Sequence, residues 1–223
     1  MEPALTLFRL DASILPATSA SRALGDLAEE QWVAARPGAA VTRRDLAAAP
    51  VPADAWQNAV TAGFTPEESR TEAQSQAVEL AATLADELLD AEALLFTVPL
   101  YNFGVSQHFR TWFDVVLTDP RFGPAGSLLR GKPAVLVTTL GGNYNPGTPK
   151  DGWDHSTPWL RRVLEEVWGL DLRIVQRPFT LVGVNPALDA FTDMAAAIKD
   201  DAETAARKFG REIAELSGIQ PAA

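Results

Sequence analysis

Three short runs in this sequence hold residue types suited to a phosphorylated, flat ligand. The run Asp11-Ala12-Ser13-Ile14-Leu15-Pro16-Ala17-Thr18-Ser19-Ala20-Ser21 is rich in hydroxyls and small side chains. Where such a run feeds a helix, the hydroxyls and the unpaired N–H groups of the first turn form an anion site that the helix dipole reinforces. That suits one terminal phosphate, and it suits a plain N-cap equally well. Pro99-Leu100-Tyr101-Asn102-Phe103-Gly104 puts an aromatic–amide–aromatic step after an abrupt proline. It offers a flat surface edged by hydrogen-bonding groups, or else a hydrophobic strand exit with Tyr101 and Phe103 in the core. In Thr139-Leu140-Gly141-Gly142-Asn143-Tyr144 the paired glycines let backbone approach a flat ligand without a side-chain clash. The same pair is also the mark of an ordinary turn.

The elements that must position these runs alternate along the chain. Leu5–Leu10 reads as a strand, and a helix spans Ser21–Ala35 with Leu24, Leu27, Ala28 and Trp32 at helical spacing. Ala40–Arg44 is a short outer strand, followed by the Pro-punctuated stretch Ala49–Thr65, too long for a simple turn. Thr65-Pro66-Glu67-Glu68 has the form of a helix start, with a cap, a proline at the first helical position and acidic residues in the first turn. The helix it opens should reach Leu89. Ala91–Val98 is apolar on both faces, as a central parallel strand is. Helix is expected over Phe103–Leu117, strand over Ala134–Thr139, and helix again from Ser156-Thr157-Pro158 to a stop near Gly169. Leu172–Val175 is a fifth strand, and Leu188–Leu216 a closing helix.

Five strands alternating with helices imply right-handed βαβ units and a parallel sheet. The expected fold is an α/β three-layer sandwich, a flavodoxin-like sheet of order 2-1-3-4-5 with helices on both faces, formed by a single domain over residues 1–223. In such a sheet ligands bind beyond the carboxyl ends of the strands, near the switch in strand order. The three runs fall at the ends of strands one, three and four. Their coincidence on one sheet edge carries more weight than any one of them.

Composition narrows the function. With 47% hydrophobic and 22% charged residues among 223, the chain is of ordinary globular make-up. A formal net charge of −10 argues against a nucleic-acid binder and against docking on an anionic membrane. There is no cysteine, which excludes disulfides, thiolate metal sites and a cysteine nucleophile. The N-terminus lacks the pattern of a signal peptide, and no apolar run approaches the ~20 residues of a membrane helix, so a cytoplasmic location is expected. Gly126–Lys132 imitates the start of a phosphate-binding P-loop, but Pro133 stands where Ser or Thr is needed and the run precedes a strand. Asp151, Asp154 and His155 read as a solvated loop, and His108 as a helix-surface residue.

The residues Ser13–Ser21, Glu30–Trp32, Arg44–Ala47 and above all Pro99–Phe103 with Phe113-Asp114 resemble the FMN-dependent NADH azoreductases, which also act as quinone reductases. Gly141–Gly142, the helix start Thr157-Pro158-Trp159-Leu160 and the stop at Gly169 fall in register with the same pattern. The resemblance covers essentially the whole chain. It implies that Ser13, Ser19, Ala20 and Ser21 hold the FMN phosphate, that Leu100, Tyr101, Asn102 and Phe103 line the isoalloxazine and ribityl groups, and that Thr139, Gly141 and Gly142 flank the ring. It further implies NADH or NADPH as electron donor, a quinone or other flat aromatic acceptor reduced in a second step, and a homodimer with the flavin site near the subunit interface. Trp56, Phe64, Trp112, Trp153, Trp159 and Phe179 are candidates for that contact or for a pocket wall, though core packing explains most of them equally well. Ala12 and Ala20 replace polar residues of some relatives, and Asn143–Asp154 matches poorly, which leaves the acceptor open. The rival readings are a flavodoxin-type electron carrier, a flavin-free binding module and a reductase dedicated to a specialised biosynthetic quinone.

Overall fold

A computed structural model describes residues 6–15, 18–122 and 128–217. Leu5, Pro16, Ala17, Gly126, Ser127 and the two chain ends, which enter the readings above, lie outside the described residues. The strands are β1 (Thr6–Asp11), β2 (Ala40–Asp45), β3 (Ala93–Thr97), β4 (Leu100–Tyr101), β5 (Gly104–Val105), β6 (Pro133–Thr139) and β7 (Asp171–Arg177). The α-helices are α1 (Ala20–Ala35), α2 (Ala55–Ala62), α3 (Glu72–Leu89), α4 (Gln107–Val116), α5 (Thr157–Arg161) and α6 (Thr192–Leu216). β4 and β5 form a separate antiparallel hairpin. The other five strands make one parallel sheet in the order β2-β1-β3-β6-β7, which is the expected 2-1-3-4-5 once the hairpin is set aside.

Alternation along the strands divides the core into two layers. Phe8, Leu10, Leu94, Phe96 and Leu136 face α3, α4 and α5, where Leu84, Leu88, Phe109, Trp112 and Trp168 fill the space. Leu7, Leu95, Val135, Val137 and Val175 face α1 and α6. The two helices on that second face approach closely at Gly210, where an added Cβ would lie 2.1 Å from the carbonyl oxygen of Ala28. No described helix is long and apolar enough to cross a membrane.

Two sequence expectations are corrected, and the stretch too long for a simple turn gains an element. Thr65-Pro66 opens only a short 3-10 turn over Glu67–Ser69, and the long helix starts after Thr71, whose hydroxyl and Gln74 make a reciprocal capping box. The stretch Ala49–Thr65 contains the helix α2. The helix expected from Phe103 starts at Gln107, because Leu100–Val105 turns back on itself as the β4–β5 hairpin. Two smaller differences concern helix winding: the helix after Ser156 widens into a π-helix over Arg162–Val167, and the closing helix is preceded by a tighter 3-10 turn over Pro186–Phe191.

Candidate functional site

The loop after β1 is held from below by an ionic cluster. Arg9 points from β1 toward α1 and is 4% exposed. Its guanidinium donates to Asp11, Asp26, Glu29 and the carbonyl of Arg22. Asp11 also accepts from the Thr97 hydroxyl at 2.6 Å, which ties the ends of β1 and β3 together. Above this lies Arg22, in the first turn of α1. It forms a bidentate pair with Asp45 at 2.8 and 2.7 Å and donates to the carbonyl of Ser13 at 3.1 Å. One arginine therefore joins the ends of β1 and β2 to the serine loop.

The loop's own groups are ordered. Ser19 is the N-cap of α1, accepting from the Arg22 N–H at 3.3 Å, and its hydroxyl lies 3.0 Å from that of Ser21. Both serines are buried. The first N–H groups of a helix, here those of Ala20 and Ser21, have no intrahelical acceptor. A cradle of two hydroxyls and two amide donors at the positive end of a 16-residue helix fits a phosphate dianion.

The second run is the hairpin. Its two tip residues, Asn102 and Phe103, both have positive φ, 48° and 68°. Two successive left-handed residues are what a two-residue hairpin turn demands. Asn tolerates that backbone and Phe is strained by it. The turn leaves Asn102 and Phe103 exposed while Leu100 is buried. Tyr101 does something the sequence did not disclose. Its hydroxyl lies 3.1 Å from the Ser13 hydroxyl and accepts from the Ile14 N–H at 3.2 Å, so the hairpin is fastened to the serine loop. Ser106, after the hairpin, donates to the carbonyl of Ala12 at 3.0 Å and makes a second link.

At the third run, Thr139 is buried at the end of β6. The backbone of 179–181 then pairs with the loop: Leu181 N–H donates to Gly141, Thr180 to Leu140 and Phe179 to Gly142. The two glycines differ in purpose. A Cβ on Gly141 would meet the half-exposed Leu181 side chain at 2.7 Å, so that side chain would have to turn aside to admit it. At Gly142 the nearest atoms to an added Cβ are the Lys150 Nζ at 3.7 Å and Tyr144 at 3.9 Å, ordinary contact distances. The N–H groups of Gly141 and Gly142 meet no acceptor among the described residues. Two free amide donors beside an exposed aromatic tip fit the polar edge of a flavin ring.

Loop 143–155 closes against the same place. The Trp153 ring stands edge-on to Phe103, centroids 5.4 Å apart, and Tyr144 lies 6.5 Å from Phe103. His155 N–H donates to the Phe103 carbonyl at 3.0 Å. Asp154 caps the following helix through the N–H groups of Ser156 and Thr157, and Asp151 accepts from Gly147. Of the aromatic candidates, Trp112 and Phe179 are core residues, Trp159 packs half-buried on Phe113, and Trp56, Phe64 and Trp153 are exposed. Leu181 and Lys150 had no signal in the sequence, since each reaches the glycine loop from a segment with no motif of its own.

Arg22→Ala is expected to weaken binding of an FMN-sized phosphate ligand by roughly 10- to 100-fold, the loss of one charge-assisted clamp on the loop. Fluorescence titration of the apoprotein with FMN measures it, and an unchanged dissociation constant would refute the clamp. The same pair sets a pH dependence. The hydrogen bonds from Arg22 hold the Asp45 carboxyl below its ordinary value of 3.8. The stabilisation is complete above that value and is lost as the pH falls through the depressed one.

An open parallel sheet of this strand order, with its first-strand loop capping a helix and tied to the hairpin after the third strand, defines a flavodoxin-like domain. The flavodoxin-like fold model matches residues 6–205, and the chain belongs to that family. Among its relatives, an FMN-dependent NADH:quinone oxidoreductase of Frankia alni is 40% identical over 204 residues, 90% of this chain and 96% of that one. The protein of the same name from Streptomyces coelicolor is 33% identical over 214 residues, 94% of this chain and 96% of the other. The fold is shared with a crystal structure of azoreductase from Bacillus anthracis, at 20% identity and a TM-score of 0.76, over 93% of this chain and 99% of that one. It is shared too with an FMN-dependent NADH-azoreductase of that species solved in complex with FMN, at 16% identity and a TM-score of 0.69, over 93% and 100% of the two chains.

Proposed function

We propose that this chain is an FMN-dependent oxidoreductase that passes electrons from NADH to quinones, and to azo compounds, one substrate leaving before the next binds. The observation that carries the reading is the meeting of three strand-end loops, with the Tyr101 hydroxyl joining the hairpin to Ser13 and Ile14. FMN held at these loops would supply the two-electron redox chemistry between nicotinamide and acceptor.

The protein's part is position and electrostatics. Ser13, Ser19 and Ser21, with the N–H groups of Ala20 and Ser21, hold the phosphate at the helix N-terminus. Arg22 keeps the Ser13 backbone in place for it. Leu100, Tyr101, Asn102 and Phe103 would line the isoalloxazine and ribityl groups, the strained tip at Asn102–Phe103 offering an amide and an aromatic ring together. Thr139, Gly141 and Gly142 would lie beside the ring. The free N–H groups of Gly141 and Gly142 would be available to donate to the polar edge of the ring, an oxyanion-type stabilisation. No side-chain acid or base is needed at the reacting atoms.

We read the chain as one domain over residues 1–223 that works in the cytoplasm as a homodimer, a second copy completing the flavin cleft. The exposed aromatics Trp56, Phe64 and Trp153 support a partner surface. Light scattering of the purified protein measures the assembly.

The test of the function is an absorbance spectrum followed by anaerobic NADH and then menadione. A flavin band near ~450 nm should bleach with NADH and return with the quinone. A flavin that stays oxidised with both NADH and NADPH would point to the electron-carrier reading instead. A chain that binds no FMN would overturn the proposal.

A further inference from the structure

We propose that Lys150 selects electron acceptors carrying an anionic substituent, an arene carboxylate or sulfonate, at the mouth of this site. The inference rests on the reading of Gly142 and Phe103 as walls of the flavin cleft.

Lys150 sits on loop 143–155, the segment that matches the family pattern poorly. Its ammonium lies 5.3 Å from the centre of the Tyr144 ring and 5.8 Å from that of Phe103. It is also the nearest group to the open side of Gly142. Two ring faces hold a cation in place without neutralising it. The neighbouring acids are turned elsewhere: Asp151 accepts from the Gly147 N–H at 3.0 Å and Asp154 from Ser156 and Thr157 at 2.9 Å each. Lys150 forms no ion pair with any described carboxylate.

A fixed, unpaired cation is conspicuous in a chain of net charge −10. The overall charge repels anionic aromatics in solution. A cation at the cleft reverses that field locally, and a flat ring stacked there would bring a carboxylate or sulfonate within reach of the ammonium. A neutral quinone gains nothing from it. The preference is thus a difference between two acceptors, set by one charge.

The experiment uses the FMN-loaded protein, with menadione as the neutral acceptor and 1,2-naphthoquinone-4-sulfonate as the anionic one. Lys150→Met keeps the stem on the rings and removes the charge, and Lys150→Arg keeps the charge. The ratio of kcat/KM for the sulfonated over the neutral quinone is expected to fall about five- to tenfold in K150M, the weight of one partly screened charge pair. It should recover in K150R. Independently of turnover, anthraquinone-2-sulfonate binding to the oxidised protein, followed by perturbation of the flavin spectrum, should weaken by a similar factor in K150M and lose much of its salt dependence. An unchanged ratio and unchanged sulfonate binding in K150M would overturn the proposal. A rise in the KM for NADH with no change in the ratio would also overturn it, assigning the cation to the dinucleotide. If the wild type binds no FMN or is not bleached by NADH, the reading of the site falls first, and this proposal falls with it. Normal bleaching with an unaltered ratio sinks this proposal alone.

Discussion

Arg9→Leu is expected to cost about 3–5 kcal/mol of folding stability, the penalty for leaving a buried charge without its partner. Asp11 is 5% exposed, and Arg9 supplies two of its hydrogen bonds, at 3.3 and 3.1 Å. Without Arg9 the carboxylate keeps the Thr97 hydroxyl at 2.6 Å and a more distant Arg22 at 3.7 Å. A urea titration of the apoprotein should show a much lower midpoint with a similar slope. Changing both partners, as Arg9→Met with Asp11→Leu, should recover part of the loss, because an apolar pair leaves no orphaned charge. A loss below about 1 kcal/mol in R9L would mean that water reaches Asp11 and that the cluster is not a closed one. FMN affinity should fall in R9L as well, since Arg22 and the Ser13 carbonyl stand on this cluster.

Gly210→Ala should lower stability by about 3 kcal/mol, at the upper end of the usual cost of overpacking. The new methyl would sit 2.1 Å from the Ala28 oxygen and 2.7 Å from its carbonyl carbon and Cα. All of these are backbone atoms of α1, so no side chain can rotate away and the helices must separate. In a chain of this size the melting temperature should drop by roughly 6–12 °C. The sign is diagnostic. Helix propensity alone favours alanine over glycine by about 1 kcal/mol, so a gain in stability would show that α1 and α6 are not in contact there.

Much of the architecture was legible because it is encoded locally. The apolar runs around Leu94–Phe96 and Ala134–Val137 mark strands buried on both faces, and small and hydroxylated residues before α1 mark a helix start. From those marks the parallel sheet and the edge on which its loops gather follow by general rules of chain connection. The hairpin at Leu100–Val105 escaped because neither strand exceeds two residues and its tip holds Asn-Phe where a glycine is usual. A helical pattern beginning at Val105 masked it. The start of α3 was misplaced because Thr65-Pro66 and Thr71 both have the form of a cap, and the reciprocal Thr71–Gln74 box, itself a local pattern, marks the second as the true start.

Residue types at the three strand ends can be read from the chain alone, and they make a phosphate and a flat ring the ligands to consider. How those ends are joined follows from the folded arrangement of the strands. Arg22 reaches Ser13 and Asp45 because β1 and β2 are neighbours in register, and Tyr101 meets Ser13 across 88 positions of sequence. Leu181 covers Gly141 because β7 pairs with β6, and Lys150 comes to Gly142 because its loop folds back on Phe103. Periodicity, caps and turns act over a few residues of chain. Such contacts are set by strand register and crossover, which bring together side chains with no local pattern in common.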